Sequence, residues 1–127
     1  MSTTNINVRW FDAYREKFES TEFRLGSDLF WMRLENGKNR NIPLRSVRWV
    51  EIKTGRNLDD IKTQVELSVR WFDGFLIEFI GKDIWFGTDN ITIYTGDSHI
   101  IIPLREVRWF SQIPESHQKE ILMESGN

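Results

Sequence analysis

The tripeptide Val-Arg-Trp occurs four times in this chain of 127 residues, and its spacing indicates an internal duplication. Trp71 follows Trp10 by 61 residues, and Trp109 follows Trp49 by 60 residues. A fixed period predicts one structural unit that is made twice. We therefore assign residues 1–66 to a first repeat and residues 67–127 to a second. The copies are Val8-Arg9-Trp10, Val47-Arg48-Trp49, Val69-Arg70-Trp71 and Val107-Arg108-Trp109.

Two further segments support the duplication. Residues Ile42–Trp49 and Ile102–Trp109 are identical at seven of eight positions. A middle segment, Leu25–Trp31, resembles Ile80–Phe86, although this match has an offset of 55 residues. The difference in offset predicts extra residues before the middle segment in the first repeat and after it in the second.

Composition bounds the class of protein. A unit of about 60 residues would be only marginally stable alone, so we expect the two repeats to share one core. The net charge of −2, from 17 basic and 19 acidic residues, argues against a general duplex-DNA binder. The chain has no cysteine, no signal-peptide pattern at its start and no apolar run that could span a bilayer. These features predict a cytoplasmic protein without disulfides or cysteine-ligated zinc.

The local patterns are mostly those of strands. Leu29–Leu34 and Ile91–Tyr94 are rich in β-branched and aromatic residues, and Val69–Ile80 is predicted as a strand or strand pair broken near Asp73-Gly74. Asn36-Gly37 predicts a hairpin with a type I′ turn. His99–Leu104 is predicted as a strand whose end at Pro103 lies at an edge or a bulge.

Helix signals follow the second Val-Arg-Trp of each repeat. Asn57–Val65 begins with a possible N-cap and first-turn acids, and Ile113–Met123 has a proline near its first turn. Phe11, Tyr14 and Phe18 also fit a helical spacing, but the equivalent stretch of the second repeat looks extended. The predicted fold is α+β: a small antiparallel sheet and a short helix, made twice and related by a pseudo-twofold axis.

The stretch from Asp83 to Glu120 resembles a bacterial and phage family, the one numbered 2442 among the domains of unknown function. The resemblance is carried by Ile102-Pro103-Leu104, Trp109-Phe110 and the segment from Pro114, and residues 25–61 are similar to the same unit more weakly. The chain thus resembles a tandem pair of these domains. The resemblance implies a small α+β fold from a prokaryotic operon or phage, and it brings no catalytic residues.

The repeated arginines are the candidate binding residues. If the tripeptides lie in regular strands, Val and Trp face one side and Arg the other. The arginines could then converge on an anion site for phosphate or carboxylate, with phenylalanines on the same face to stack a ring. Alternatively, each tripeptide is an amphipathic strand whose arginine pairs with nearby acids, and we favour this interpretation. The candidate residues are Arg9, Arg48, Arg70, Arg108, Phe11, Phe72 and Phe110.

The remaining polar residues predict no chemistry. Asp12 and Asp73 each follow Trp-Phe, and they could hold a cation near a symmetry axis, but we favour a role in ordering a turn. His99 and His117 lack a recognised metal-ligand spacing. No nucleophile elbow or phosphate-binding glycine loop occurs. We therefore expect no catalytic residues, no metal, no cofactor and no enzymatic activity.

Three functions remain open from the sequence. The first is a non-catalytic interaction protein, such as an antitoxin, adaptor or inhibitor, because Trp, Tyr, Phe and Arg dominate binding hot spots. The second is binding or sequestration of a nucleotide or another small anion by the duplicated arginines and rings. The third is a DNA-associated regulator, which the acidic balance disfavours. A homodimer through an edge strand, such as the one ending at Pro103, is also open.

Overall fold

The computed structural model describes residues 3–54 and 64–113, and most of these residues form antiparallel β-strands. The only helical element in the described ranges is one 3₁₀ turn at Leu44–Ser46. The strands of the first repeat are β1 (Thr4–Trp10), β2 (Arg15–Leu25), β3 (Leu29–Leu34), β4 (Asn39–Pro43) and β5 (Val47–Lys53). Those of the second are β6 (Val65–Trp71), β7 (Leu76–Gly81), β8 (Asp83–Phe86), β9 (Asn90–Tyr94), β10 (Ser98–Pro103) and β11 (Val107–Ile113).

The predicted α+β class is wrong, because the described fold is all-β. Val65, expected at the end of a helix, begins β6, and Ile113 ends β11. The rest of the two predicted helices, residues 57–63 and 114–123, lies outside the described residues. Tyr14–Phe18 is extended rather than helical, since β2 starts at Arg15 and pairs with β1 from Arg15 to Ser20. Ladder pairing and burial of alternate residues outweigh the helical spacing of the rings there.

The two repeats contain the same elements in the same order. β1, β2 and β3 correspond to β6, β7 with β8, and β9 at an offset of 61 residues, and β5 corresponds to β11 at an offset of 60. The single-residue change falls in the turn before β4 and β10. The sequence match at an offset of 55 is therefore wrong. Gly26 lies in a turn after β2, where its N–H donates to the Leu29 carbonyl, whereas Gly81 ends β7 before a break in the strand.

That break is the main structural difference between the repeats. β2 is continuous over 11 residues, with a register shift between Ser20 and Glu22. The equivalent stretch divides at Gly81 into β7, which pairs with β6, and β8, which pairs with β9. A Cβ atom on Gly81 would lie 2.5 Å from the Ile93 side chain and 2.9 Å from the Tyr94 carbonyl oxygen. The bend thus requires a residue without a side chain.

The strands form an eight-stranded sheet, in the order β4-β3-β2-β1-β5-β10-β9-β8, and a three-stranded sheet, β11-β6-β7. The repeats join where β5 pairs with β10, with Ile52 opposite His99 and Val50 opposite Ile101. A twofold axis would either pair a strand with its own counterpart in the other repeat or form the β5–β10 type of contact twice. The junction instead joins two different strands once, so the predicted pseudo-twofold relation is also wrong. The strand ending at Pro103 is an interior strand, whereas its counterpart β4 lies at the sheet edge.

Two hydrophobic clusters fill the fold, and each takes residues from both repeats. Ile101 of β10 packs into the cluster of the first repeat, which includes Ile6, Phe30 and Val50. Trp49 of β5 packs against the cluster of the second repeat, which includes Trp71. The repeats therefore bury apolar surface against each other along the junction. Over the described ranges, no helix is long and apolar enough to cross a membrane.

The predicted hairpin at Asn36-Gly37 is confirmed, but its turn is of another type. Gly37 has a φ of 84°, and its N–H donates to the Leu34 carbonyl oxygen. The Leu34 N–H in turn donates to the Lys38 carbonyl oxygen. Asn36 does not have the positive φ that a type I′ turn needs. This geometry is that of a type I turn followed by a left-handed residue, because the loop has one more residue than a two-residue hairpin.

Candidate functional site

A β-bulge places the second arginine of each repeat. In the first repeat Arg9 pairs with Trp49 and Trp10 pairs with Val47, so Arg48 is the extra residue. In the second repeat Arg70 pairs with Trp109 and Trp71 pairs with Val107, which leaves Arg108 extra. A bulge re-aims the side chains around it. Regular alternation of Val and Trp against Arg therefore does not hold for these two copies of the tripeptide.

Arg48 is buried at the junction of the repeats, with 5% of its surface exposed. Its guanidinium carbon lies 4.2 Å from the ring centre of Phe75, 4.8 Å from that of Phe11 and 5.3 Å from that of Trp71. Stacking on several ring faces stabilises a guanidinium that has lost most of its water. Arg48 belongs to the first repeat, while two of the three rings belong to the second.

The charge of Arg48 is neutralised by Asp73 of the second repeat. Nη1 donates to Oδ1 over 3.1 Å and Nη2 donates to Oδ2 over 2.5 Å, which is a bidentate pair. The hydrogen bonds from Arg48 lower the pKa of Asp73 from its ordinary value of 3.8. The favoured alternative, in which an arginine pairs with a nearby acid, is what the geometry shows at this position.

Asp73 and Asp12 also order equivalent turns. The Phe75 N–H donates to Asp73 Oδ1 over 3.2 Å, and the Tyr14 N–H donates to Asp12 Oδ1 over 3.0 Å. The predicted turn role of both aspartates is thus confirmed. Among the described residues, no group of three or more His, Cys, Asp or Glu side chains is arranged to hold a metal ion.

The other three arginines do not meet at one point. Arg9 lies 5.8 Å from the ring centres of both Trp49 and Phe75, beside the Arg48 cluster. Arg70 donates to the Gly74 carbonyl oxygen over 2.6 Å. Arg108, in β11, has its guanidinium carbon 5.2 Å from the ring centre of Phe72. The structure thus brings Arg9 and Arg48 to one shared ring, that of Phe75, and places Arg70 and Arg108 elsewhere.

The three candidate phenylalanines divide between two places. Phe11 and Phe72 lie in equivalent turns, where each backbone N–H donates to the residue before β5 or β11, at Ser46 and Glu106. Together they line a cavity of about 490 Å³, with Arg45, Asp73 and Glu106 as its other lining residues. Phe110 instead stacks on Phe86, with ring centres 5.9 Å apart. The remaining charges in the lining, Arg45 and Glu106, are opposite in sign, and Asp73 is paired with Arg48, so the charge of the cavity does not favour an anion.

Exposed aromatic rings concentrate on the second repeat. Those exposed by more than two fifths are, in the second repeat, Phe72 at 56%, Trp85 at 54%, Phe86 at 47%, Trp109 at 42% and Phe110 at 42%, against Tyr14 at 58% in the first. Three of them lie on β11 or stack on it. We call Phe86, Trp109 and Phe110 the β11 aromatic surface. Phe86 and Trp85 were missed from the sequence, because the offset of 55 residues misaligned β8.

The equivalent positions of the first repeat differ. Leu25 occupies the place of Phe86, and Val50 occupies that of Phe110. Val50 is fully buried, whereas Phe110 is 42% exposed. The cause is the strand beside it: β5 is covered by β10, while β11 pairs only with β6 among the described strands. Large exposed apolar surface next to such an edge is typical of a binding face.

No protein-family model, no curated protein and no solved structure matches the chain. The resemblance to the family numbered 2442 therefore stays a prediction.

Proposed function

We propose that this protein is a non-catalytic interaction protein that binds a protein partner through the β11 aromatic surface. The observation that carries the proposal is the stacked, exposed pair Phe86 and Phe110 beside the β11 edge. Aromatic residues supply much of the binding energy at protein interfaces, since they bury a large area with few rotatable bonds. An adaptor, inhibitor or antitoxin-like role fits such a surface.

Two features favour a protein partner over a small anion. The guanidinium of Arg48, the most enclosed of the four candidate arginines, is already neutralised by Asp73. The cavity between Phe11 and Phe72 has the two carboxylates Asp73 and Glu106 in its lining. A phosphate there would meet the carboxylate of Glu106, and the nearby Arg48 is already paired with Asp73. The β11 aromatic surface instead presents apolar rings beside a strand that pairs only with β6 among the described strands.

The first repeat provides the substitutions that test the proposal. Phe86→Leu with Phe110→Val installs the residues that stand at equivalent positions, so both changes suit the strands. Leu29→Thr is the control, since Leu29 is 46% exposed but lies on β3 of the first repeat. Circular dichroism would verify that all three proteins have the same strand content.

The experiment is quantitative capture of proteins from the host lysate on each immobilised variant. We expect one stoichiometric protein to be recovered by the wild type and by Leu29→Thr, and to be reduced about tenfold with the double variant. Equal recovery on all three proteins would contradict the proposal. Native mass spectrometry of the untagged protein adds a second readout, and a retained small molecule in place of a protein would favour the anion-binding alternative.

A further inference from the structure

The junction between the repeats has two chemically distinct sides. The donor side belongs to the first repeat and consists of the β5 edge with Asp28, Arg48 and Trp49. The acceptor side belongs to the second repeat and consists of the β10 edge with Trp71, Asp73 and Arg105. Two ion pairs cross it, Arg48 with Asp73 and Arg105 with Asp28, the latter at 2.7 Å. Trp49 also crosses it and lies 6.1 Å from the ring centre of Trp71.

The duplication repeats each side on the other repeat. A second donor side lies on the second repeat, and its members are the β11 edge, Asp89, Arg108 and Trp109. A second acceptor side lies on the first repeat, and its members are the β4 edge, Trp10, Asp12 and Arg45. Every charged residue of the two crossing ion pairs thus has a counterpart of the same type, and these counterparts are divided between the two repeats.

The second donor and acceptor sides are exposed. Asp12, Arg45 and Asp89 are exposed, and none of them forms an ion pair within the described part of the chain. Arg108 lies above Phe72 as Arg48 lies above Phe11, at 5.2 and 4.8 Å from the ring centres. The half of the arginine site that comes from the same repeat is therefore built in both repeats. Within the described ranges, the half that comes from the next repeat is present only for Arg48.

We propose that a second copy of the chain completes this site, with its β4 edge adding to β11 as β10 adds to β5. Arg108 then pairs with Asp12 of the second copy, and Asp89 pairs with Arg45 of that copy. The proposal rests on the proposed function, because it names the partner of the β11 aromatic surface. The contact joins two different surfaces, so it propagates from chain to chain and gives a ring if the rotation closes or a filament if it does not.

Two sequence differences between β10 and β4 make the contact between chains weaker than the junction within the chain. Ile100 and Ile101 of β10 correspond to Arg40 and Asn41 of β4, so the β4 edge buries less apolar area. Arg40 lies 5.8 Å from the ring centre of Phe18 and covers it. Charged and polar residues on an edge strand limit uncontrolled pairing. Assembly is therefore reversible and rises with protein concentration.

Sedimentation of the full chain over a range of concentrations measures the assembly. We expect the mass to rise with concentration, and we expect Asp12→Arg or Arg108→Asp alone to weaken self-association by about tenfold or more. Combining the two substitutions in one chain restores an ion pair of reversed sign and recovers most of the association. Arg48 and Asp73 are unchanged in all these variants.

Cysteine pairs test the geometry, because the chain has no cysteine of its own. Glu51 and Ile100 are opposite each other at the junction, and their counterparts are Ser111 and Arg40. A mixture of Ser111→Cys chains and Arg40→Cys chains should form a disulfide-linked dimer under mild oxidation. Neither variant alone should form that dimer, since the contact joins unlike strands. Glu78→Cys, on an exposed position of β7, replaces Arg40→Cys in the control mixture.

A chain that remains monomeric at every concentration overturns the proposal, and so does a disulfide dimer that forms equally well with Ser111→Cys alone. Failure of the proposed function gives a different result. If the wild type is monomeric but captures a host protein that Phe86→Leu with Phe110→Val loses, the proposed function stands and the second copy is not the partner. If self-association occurs without dependence on Asp12 or Arg108, another surface mediates it.

Discussion

The second Val-Arg-Trp of each repeat is enclosed in the first repeat and exposed in the second. Arg48 is buried among three rings and paired with Asp73, whereas Arg108 lies above one ring and is exposed. Both arginines follow a valine, precede a tryptophan and occupy a β-bulge. The difference comes from what lies beyond the strand: the second repeat covers β5, and no described element covers β11. Sequence identity between repeats thus specifies the strand and the bulge, while the neighbouring repeat decides burial.

The equivalent turns after β1 and β6 give a second comparison. Each turn has Trp-Phe-Asp followed by a residue with positive φ, which is Ala13 at 76° in the first repeat and Gly74 at 92° in the second. Both turns make the same two backbone hydrogen bonds. The N–H of the positive-φ residue donates to the carbonyl of the tryptophan, and the N–H of the tryptophan donates to the carbonyl of the residue after the positive-φ residue. Ala13 therefore adopts a conformation that glycine adopts without steric cost.

The largest expected difference between the repeats concerns the arginines. Arg48→Ala should lower the free energy of unfolding by about 2–4 kcal/mol, because it removes the buried charge partner and the contact with three rings. Arg108→Ala should lower it by less than about 1 kcal/mol, since Arg108 is exposed to solvent. Urea denaturation followed by tryptophan fluorescence measures both, at a concentration low enough to exclude assembly.

The pH dependence of the Arg48 contribution provides its control. The pKa of Asp73 is lowered by Arg48 in the folded state, so this stabilisation is present above the ordinary value of 3.8 and is lost as the pH falls through the folded pKa. Asp73→Asn should therefore destabilise the protein at pH 7 and make progressively less difference below pH 3.8. In an Arg48→Met background, the pH dependence of the Asp73→Asn effect should be much smaller. A full-sized pH effect without Arg48 would contradict the pairing.

The next comparison concerns the divided strand. Gly81→Ser introduces at the bend the residue type of the equivalent position in the first repeat, Ser20. The Cβ of the new serine would collide with Ile93 and the Tyr94 backbone. We expect a loss of about 1–3 kcal/mol in the free energy of unfolding. Ser20→Gly is the matched change, and we expect it to cost less than about 1 kcal/mol, because the buried Ser20 hydroxyl has no hydrogen-bond partner. Equal costs in urea denaturation would show that close packing does not explain the glycine.

The smallest effect concerns the turns. Ala13→Gly should raise the free energy of unfolding by about 1 kcal/mol, because it removes the strain of a positive φ at a residue with a Cβ. Gly74→Ala should lower it by about the same amount, since no atom lies within 4 Å of the added Cβ and strain alone remains. Differential scanning calorimetry of the two variants measures both changes. Shifts of the same sign would show that the two turns are not energetically equivalent.

The sequence by itself determined the duplication, most strands, the Asn36-Gly37 hairpin and the turn role of Asp12 and Asp73. These features depend on residues close along the chain: alternating β-branched residues, an Asn-Gly pair, and aspartates whose side chains reach a backbone N–H two residues later. It also suggested that an arginine would pair with an acid, which Arg48 and Asp73 do. It misassigned the fold class, because it predicted a helix after the second Val-Arg-Trp of each repeat, whereas Val65 begins β6 and Ile113 ends β11 by pairing with strands that the local pattern does not reveal.

The tertiary structure alone decided how the repeats join. The two copies are nearly identical from Ile42 to Trp49 and from Ile102 to Trp109, so no local pattern distinguishes the buried β5 from the edge strand β11. The pairing of β5 with β10 connects residues that are more than 40 positions apart, and it sets the burial of Arg48, the exposure of Phe110 and the absence of a twofold relation. Strand register and burial across such distances arise from the packing of whole sheets, which is why they are not visible in the order of residues.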